Sequence, residues 1–370
     1  MADPRIERLA DVLVRYSTEV GEGDVVLIEA TPLAAPLVEA LYAGVLAAGG
    51  HPQPRIRLDG LTEALLARGS DAQLEWLNPA RLHDYETADA CIVVMSDYNT
   101  RSLSRIEGAR HARQRRALEP LREVQFRRGA TRDLRWNVTL FPTSAAAQEA
   151  AMSLRDYEEF VFRAGFLDRA DAVGEWTAFG ETLRRLAAWL GGKRELRVIG
   201  EGTDLTLGIG GRTWIPAEGK ENFPDGEVFT GPVETSVEGV ISFTYPAPFD
   251  GMVFDDVRLA FEGGEVVRAT ARRGAEALDA MLGTDEGARR AGEFAFGMNE
   301  AVTEFTGNTL FDEKIGGTVH LALGRAYPET GGVNRSALHW DLVCDLRGES
   351  EVYADGDLVY RDCAFLEGLF

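Results

Sequence analysis

"LGGKRELRVIGEGTDLTLGIGG", residues 190–211, is where the texture of the chain changes. Upstream, apolar runs of strand length alternate with segments of helical period; downstream, short alternating segments are separated by glycine-rich turns. At 370 residues the chain exceeds the usual size of a single hydrophobic core. The switch therefore predicts two domains, 1–190 and 191–370.

Working towards the N-terminus, Ile6, Leu9, Val12, Leu13 and Tyr16 form one helical stripe, and "GEGD" then turns the chain into "VVLIEA" (25–30), a continuous apolar strand. The helix "PLAAPLVEALYAGVLAAGG" (32–50) follows, closed by paired glycines. Strands "PRIRL" (54–58), "ACIVVMS" (90–96) and "RWNVTLFP" (135–142) come next, and "DYEEFVFRAGF" (156–166) and "EWTAFGETLRRLAAWLGG" (175–192) read as helices. Strand and helix alternating in this way predict an α/β domain with a mostly parallel sheet.

Towards the C-terminus the segments "VISFTYPAP", "VRLAFEGGEVVRATARR", "VHLALG", "HWDLVCDL" and "EVYADGDLVYRDC" predict a mainly antiparallel α+β domain. Only "AEALDAMLG" (275–283) and "GARRAGEFAFG" (287–297) look helical there. The glycines of "GEGTDLTLGIGG" lack both the dinucleotide-fingerprint spacing and the Gly-Lys-Ser/Thr ending of a phosphate loop, so they are expected to be hairpin turns.

A formal charge of −21 argues against a nucleic-acid partner, which needs a basic face to release counterions. The basic stretch Arg105–Arg128 is interrupted by Glu107, Glu119 and Glu123 at helical spacings and reads as a solvated helix face. Lysine occurs only at Lys193, Lys220 and Lys314. Cys91, Cys344 and Cys363 are too few and too scattered for a disulfide framework, which suggests a reducing compartment. The N-terminus has no continuous apolar core of a signal peptide, and nowhere do 18 apolar residues run together, so a cytoplasmic location without membrane contact is expected.

The chemistry-bearing residues gather in the second half. In "HWD", residues two apart share one side of a strand, so His339 and Asp341 project together and Trp340 turns away. Such a pair is either two metal ligands or one hydrogen-bonded couple. His320 opens an apolar strand and Tyr327 follows a glycine turn, where each could equally be a core residue. Glu227, Glu293 and Glu313 each stand between turn glycines and apolar residues, where buried carboxylates need partners or a metal. Three glutamates, one aspartate, two histidines and a tyrosine suit a two-metal hydrolytic centre of zinc, cobalt, manganese or magnesium type.

Four blocks, "NFPDGEVFTGPVETSVEG" (222–239), "GE" (292–293), "NTLFDEKIGGTVHLALGRAYPETGG" (308–332) and "SALHWDLV" (336–343), resemble in order the signatures of the M29 metallopeptidases, the thermophilic aminopeptidase family. The resemblance also takes in residues 9–52 and so runs through essentially the whole chain. It implies metal ligation by Glu227, Glu293 (a bridging candidate), Glu313, His320, His339 and Asp341. Glu313 fits least well, because "EKIGGTVH" looks longer before His320 than in some members. Two divalent ions, removal of the N-terminal residue from short peptides by an activated water, and a homodimer are further implications. Glu227 or Glu313 would move the proton, and Tyr327 would ligate a metal or donate to the oxyanion. A rival comes from iron-dependent ring-opening dioxygenases of hydroxylated pyridines, which resemble this family but use two histidines and one aspartate. His320, His339 and Asp341 would satisfy that mononuclear site, but it has no use for the three glutamates. An inert metal-binding homologue is the remaining alternative.

Overall fold

The computed structural model describes residues 3–249 and 252–370. Two compact units emerge: one runs through Thr177 and includes Gly219–Pro224, the other comprises Ala178–Glu218 and Asp225–Phe370. The division falls inside the helix Ala172–Leu190 and not at residue 191. The side chains explain why. Trp176 donates its Nε1–H to the Gly165 carbonyl at 2.8 Å and packs at a tilt against Phe166, 5.1 Å between ring centres, in the first unit. Leu183, Leu186, Ala187 and Leu190, further along the same helix, are buried in the second unit's core. The change of texture in the sequence marks the end of that helix, one core later than its side chains change allegiance.

The first unit holds a wholly parallel five-stranded sheet, ordered His51–Ile56, Val25–Ala30, Ala90–Met95, Arg135–Leu140, Asn222–Phe223. Its central strand, Ala90–Met95, is the apolar run expected of a strand covered on both faces. The "PRIRL" strand begins earlier, at His51, and carries Pro52 and Pro54; it lies at the sheet edge, where a missing N–H costs nothing. The last strand is supplied by the short return of the chain at Gly219–Pro224. The arginine-rich stretch forms two helices, Gly108–Ala117 and Glu119–Ala130, broken just before Pro120.

The second unit is built from antiparallel sheets. An eight-stranded one includes the hairpin Glu195–Gly200 and Thr203–Gly208, whose two-residue turn places Gly202 at φ +65°; within the glycine string, Gly202 sits in the hairpin turn, while Gly200 and Gly208 lie in its strands. A five-stranded one is ordered His339–Asp345, Thr318–Gly324, Ala291–Gly297, Glu227–Thr230, Ile215–Ala217. One hydrophobic core is shared by residues of both sheets and the end of the long helix.

One expected element differs. Residues 287–297 do not form a helix: a short 3-10 turn, Glu286–Arg289, leads into the strand Ala291–Gly297. Every residue of that strand is buried, so polar alternation is lost and only apolar content remains visible in the sequence. Among the described residues, no helix is long and apolar enough to cross a membrane.

Candidate metal centre

The five-stranded sheet has two different faces, set by register. Residues directly opposite one another across strands point the same way, and neighbours along a strand alternate. Val319, Leu321 and Leu323, with Phe294, Phe296, Leu342 and Trp340, form the face turned to the core. The other face carries four rows: Glu227 opposite Gly297; His320 opposite Ala295; Glu293, Ala322 and Asp341; and His339 opposite Gly324. Alanine and glycine fill the places between the polar side chains, which leaves room above the sheet for imidazoles and carboxylates to converge.

A bulge brings Glu293 into this set. Ala291 pairs with Leu323 on the core face, yet Glu293, only two residues on, pairs with Ala322 on the opposite face. Gly292 is the extra residue that absorbs the change. A methyl group at Gly292 would overlap the carbonyl oxygens of Gly324 and Arg325, so only glycine fits.

Five of the six ligands that the sequence singled out come together here. His320 Nε2 lies 3.5 Å from Glu227 Oε2 and 3.5 Å from Glu293 Oε1. His339 Nε2 lies 3.5 Å from Glu293 Oε2 and 3.5 Å from Asp341 Oδ1. Two groups of donor atoms result, Glu227–Glu293–His320 and Glu293–His339–Asp341, each with its atoms within 4.8 Å of one another. Glu293 belongs to both, with one oxygen facing each histidine. The first group is buried throughout; in the second, His339 and Asp341 are partly open to solvent. His339 Nδ1 is 2.8 Å from the Arg325 carbonyl, an arrangement that places the proton on Nδ1 and leaves Nε2 free to face the carboxylates. Tyr327 is 40% exposed and sits edge-on to His339 (5.3 Å between ring centres) and to Phe229 (5.6 Å).

Glu313 belongs to neither group. It caps the short helix Thr309–Asp312, and its Oε2 accepts a hydrogen bond from Lys314 Nζ at 2.9 Å. Lys314 was not foreseen as part of the site. Its side chain is 2% exposed, and the same Nζ donates to Glu227 Oε1 at 2.8 Å and lies 3.9 Å from Asp225 Oδ1. The available signal was its rarity, one of three lysines among 39 basic residues, joined to its position beside Glu313.

The electrostatics show a cluster that attracts positive charge. Burial raises the Glu227 carboxyl above its usual range, and burial with Glu313 beside it lifts Asp341 to about 7. Burial opposes a charge on His320, but Glu227 and Glu293 overcome it and raise the ring to about 9. His339 is raised in the same way by Asp341 and Glu293 against its burial. Burial also works against Lys314, yet Glu227, Glu313 and Asp225 hold it well above the ordinary lysine value. Burial would raise Glu313, but Lys314 and His320 bring it below its usual value. Glu227 Oε2 and His320 Nδ1 are buried with no hydrogen-bond partner. Clustered carboxylates, two imidazoles and an orphaned carboxylate oxygen are a donor set that divalent cations fit.

A model of the thermophilic metalloproteases (M29) matches residues 2–362. The chain belongs to this M29 family. Among its M29 relatives, aminopeptidase 2 of Geobacillus stearothermophilus is 32% identical over 256 residues, covering 60% of this chain and 61% of that protein. Aminopeptidase T of Thermus aquaticus is 34% identical over 248 residues, covering 60% of this chain and 59% of the relative. These matches thus span about three fifths of the relatives' own length. The solved structure of wild-type AmpT from Thermus thermophilus superposes with a TM-score of 0.85 at 25% identity, over 98% of this chain and 99% of the other. A 2,5-dihydroxypyridine dioxygenase from Pseudomonas putida KT2440 shares the fold, with a TM-score of 0.59 at 14% identity over 99% of this chain and 98% of the other.

Proposed function

We propose that this M29 protein is a metal-dependent aminopeptidase that removes the N-terminal residue of short peptides at a dinuclear centre. The observation that carries the reading is the pair of three-donor groups sharing Glu293. The names of its relatives, aminopeptidase 2 and aminopeptidase T, support the activity. Glu227, Glu293 and His320 would hold one divalent ion, Glu293, His339 and Asp341 the other, with zinc, cobalt, manganese and magnesium all compatible with such donors. Ions held there supply Lewis acidity towards a carbonyl and a lowered pKa for water.

The remaining chemistry falls to side chains. Glu227 belongs to a donor group and Glu313 does not, so Glu313 is the carboxylate left to take the proton from the attacking water and return it to the leaving amine. Tyr327, 40% exposed and edge-on to His339, would donate to the oxygen of the tetrahedral adduct. The partly open His339–Asp341 side is where a peptide N-terminus would enter. The family resemblance supports a homodimer, which gel filtration with light scattering tests directly.

The ring-opening dioxygenase reading would use His320, His339 and Asp341 alone and would leave Glu227 and Glu293 as purposeless buried acids. The deciding experiment is elemental analysis of the purified protein together with hydrolysis of aminoacyl-arylamides in the presence of each metal. Two divalent ions per chain and hydrolysis are expected; one iron per chain without hydrolysis would sink the proposal. Glu293→Gln should abolish hydrolysis and at least one metal position, since the amide keeps one oxygen and replaces the other with a non-ligating NH2, and so can serve only one of the two groups.

A further inference from the structure

The ammonium of Lys314 is the only cationic side chain among the described residues hydrogen-bonded to Glu227 or Glu313, and its placement is specific. Burying an ammonium costs several kcal/mol unless good partners compensate. Lys314 has two at hydrogen-bond distance, Glu227 Oε1 and Glu313 Oε2, while Asp225 at 3.9 Å contributes charge only. Its backbone is fixed as well. The Lys314 N–H donates to the Phe311 carbonyl at 2.9 Å, and its own carbonyl accepts from the Asn299 N–H at 3.0 Å. The Asn299 side chain in turn donates to the Asp225 carbonyl at 2.8 Å, two residues before Glu227.

Each carboxylate is engaged through one oxygen. Glu227 Oε1 is taken by Lys314, whereas Oε2 has no hydrogen-bond partner and lies 3.5 Å from His320 Nε2, inside the first donor group. In a chain whose other carboxylate ion pairs are made mostly by arginine, with Lys220–Glu19 the other lysine pair among the described residues, the choice of lysine has a geometric meaning. A guanidinium fork tends to take both oxygens of one carboxylate, whereas an ammonium is a point charge that can take one oxygen from each of two.

We infer that Lys314 is a positioning residue of the centre, which restricts Glu227 to a single ligating oxygen and tethers Glu313 beside the ions as a non-ligating carboxylate. The inference rests on the proposed metal centre and adds to it a reason why Glu313 stays outside both donor groups. With Lys314 removed, Glu227 is free to ligate through both oxygens and Glu313 is free to swing in as an additional ligand. With arginine in its place, the fork competes for the Glu227 oxygen that the ion needs.

The test uses the full chain loaded with cobalt(II), whose visible absorption reports coordination number, compared with Lys314→Met and Lys314→Arg. Lys314→Met should keep its cobalt but show the weaker absorption of a higher coordination number. Its kcat on an aminoacyl-arylamide should fall by about 10- to 100-fold with KM unchanged, the size expected for a group that orients metal ligands. Lys314→Arg should bind its more tightly held ion about 10-fold or more weakly by chelator competition. Folded variants with the wild-type cobalt spectrum, metal affinity and kcat would overturn the inference while leaving the metal centre standing. Should Lys314→Met fail to fold, Lys314→Arg decides alone, a wild-type spectrum and affinity in it being the overturning result. A wild-type protein that takes up neither cobalt nor zinc removes the metal-centre reading, and this inference with it.

Discussion

His339 is oriented by a backbone carbonyl, and Tyr327 packs edge-on against its ring. The consequence is testable at Tyr327, which touches the site from its solvent side. Tyr327→Phe keeps the ring packing and removes only the hydroxyl, so kcat should fall by roughly 100-fold, the cost of one lost oxyanion donor, while metal content stays the same. Loss of an ion in that variant would make the hydroxyl a ligand instead of a donor. A second residue-level expectation concerns the thiols. Burial pushes both Cys91 and Cys344 up to about 12, so at pH 8 each is almost wholly protonated and also shielded; Cys363 is only partly buried. Titration of the native protein with a chromogenic disulfide should therefore count one fast thiol of three, and all three after unfolding. The facing of His339 and Asp341 was legible from a spacing of two. The contacts of Lys314 were not, because its partner Glu227 lies 87 residues away and no local pattern encodes that meeting.

The strand Ala291–Gly297 shows where sequence reading fails at the level of an element. A regular half-buried strand alternates, but this one is buried on both faces and bulged at Gly292, so its period is lost in its first three residues. The fold class was legible because apolar runs, helical stripes and glycine turns are local signals; the bulge is a property of pairing with Thr318–Gly324 and appears only once that partner is in place. Gly292→Ala tests its importance. The added methyl would press on the Arg325 carbonyl that orients His339. Overpacking of this kind costs about 1–3 kcal/mol. Thermal unfolding should register that loss, and chelator competition should show the ion of the His339–Asp341 group more weakly held than that of the Glu227–His320 group.

All of the candidate ligands belong to the second compact unit. Ion binding should therefore stabilise that unit selectively. Saturation at 100 times the dissociation constant is worth about 2.7 kcal/mol per ion. Hydrogen exchange with and without chelator should show lost protection in the strands bearing Glu227, Glu293, His320 and His339, with amides of the parallel sheet at residues 25–140 unchanged. Equal loss in both would mean that the ions act on the whole chain. The short return at Gly219–Pro224 has a further bearing on how the two units can be taken apart. Because Asn222 and Phe223 complete the parallel sheet beside Val138 and Thr139, the first unit is not a contiguous stretch of polypeptide. A gene fragment ending at Thr177 would encode that unit without its last strand, and one beginning at Ala178 would carry the strand away with the metal ligands. The two units are interleaved in the gene, so a modular transplant of the centre onto another protein must carry a spare strand or redesign the segment that holds it.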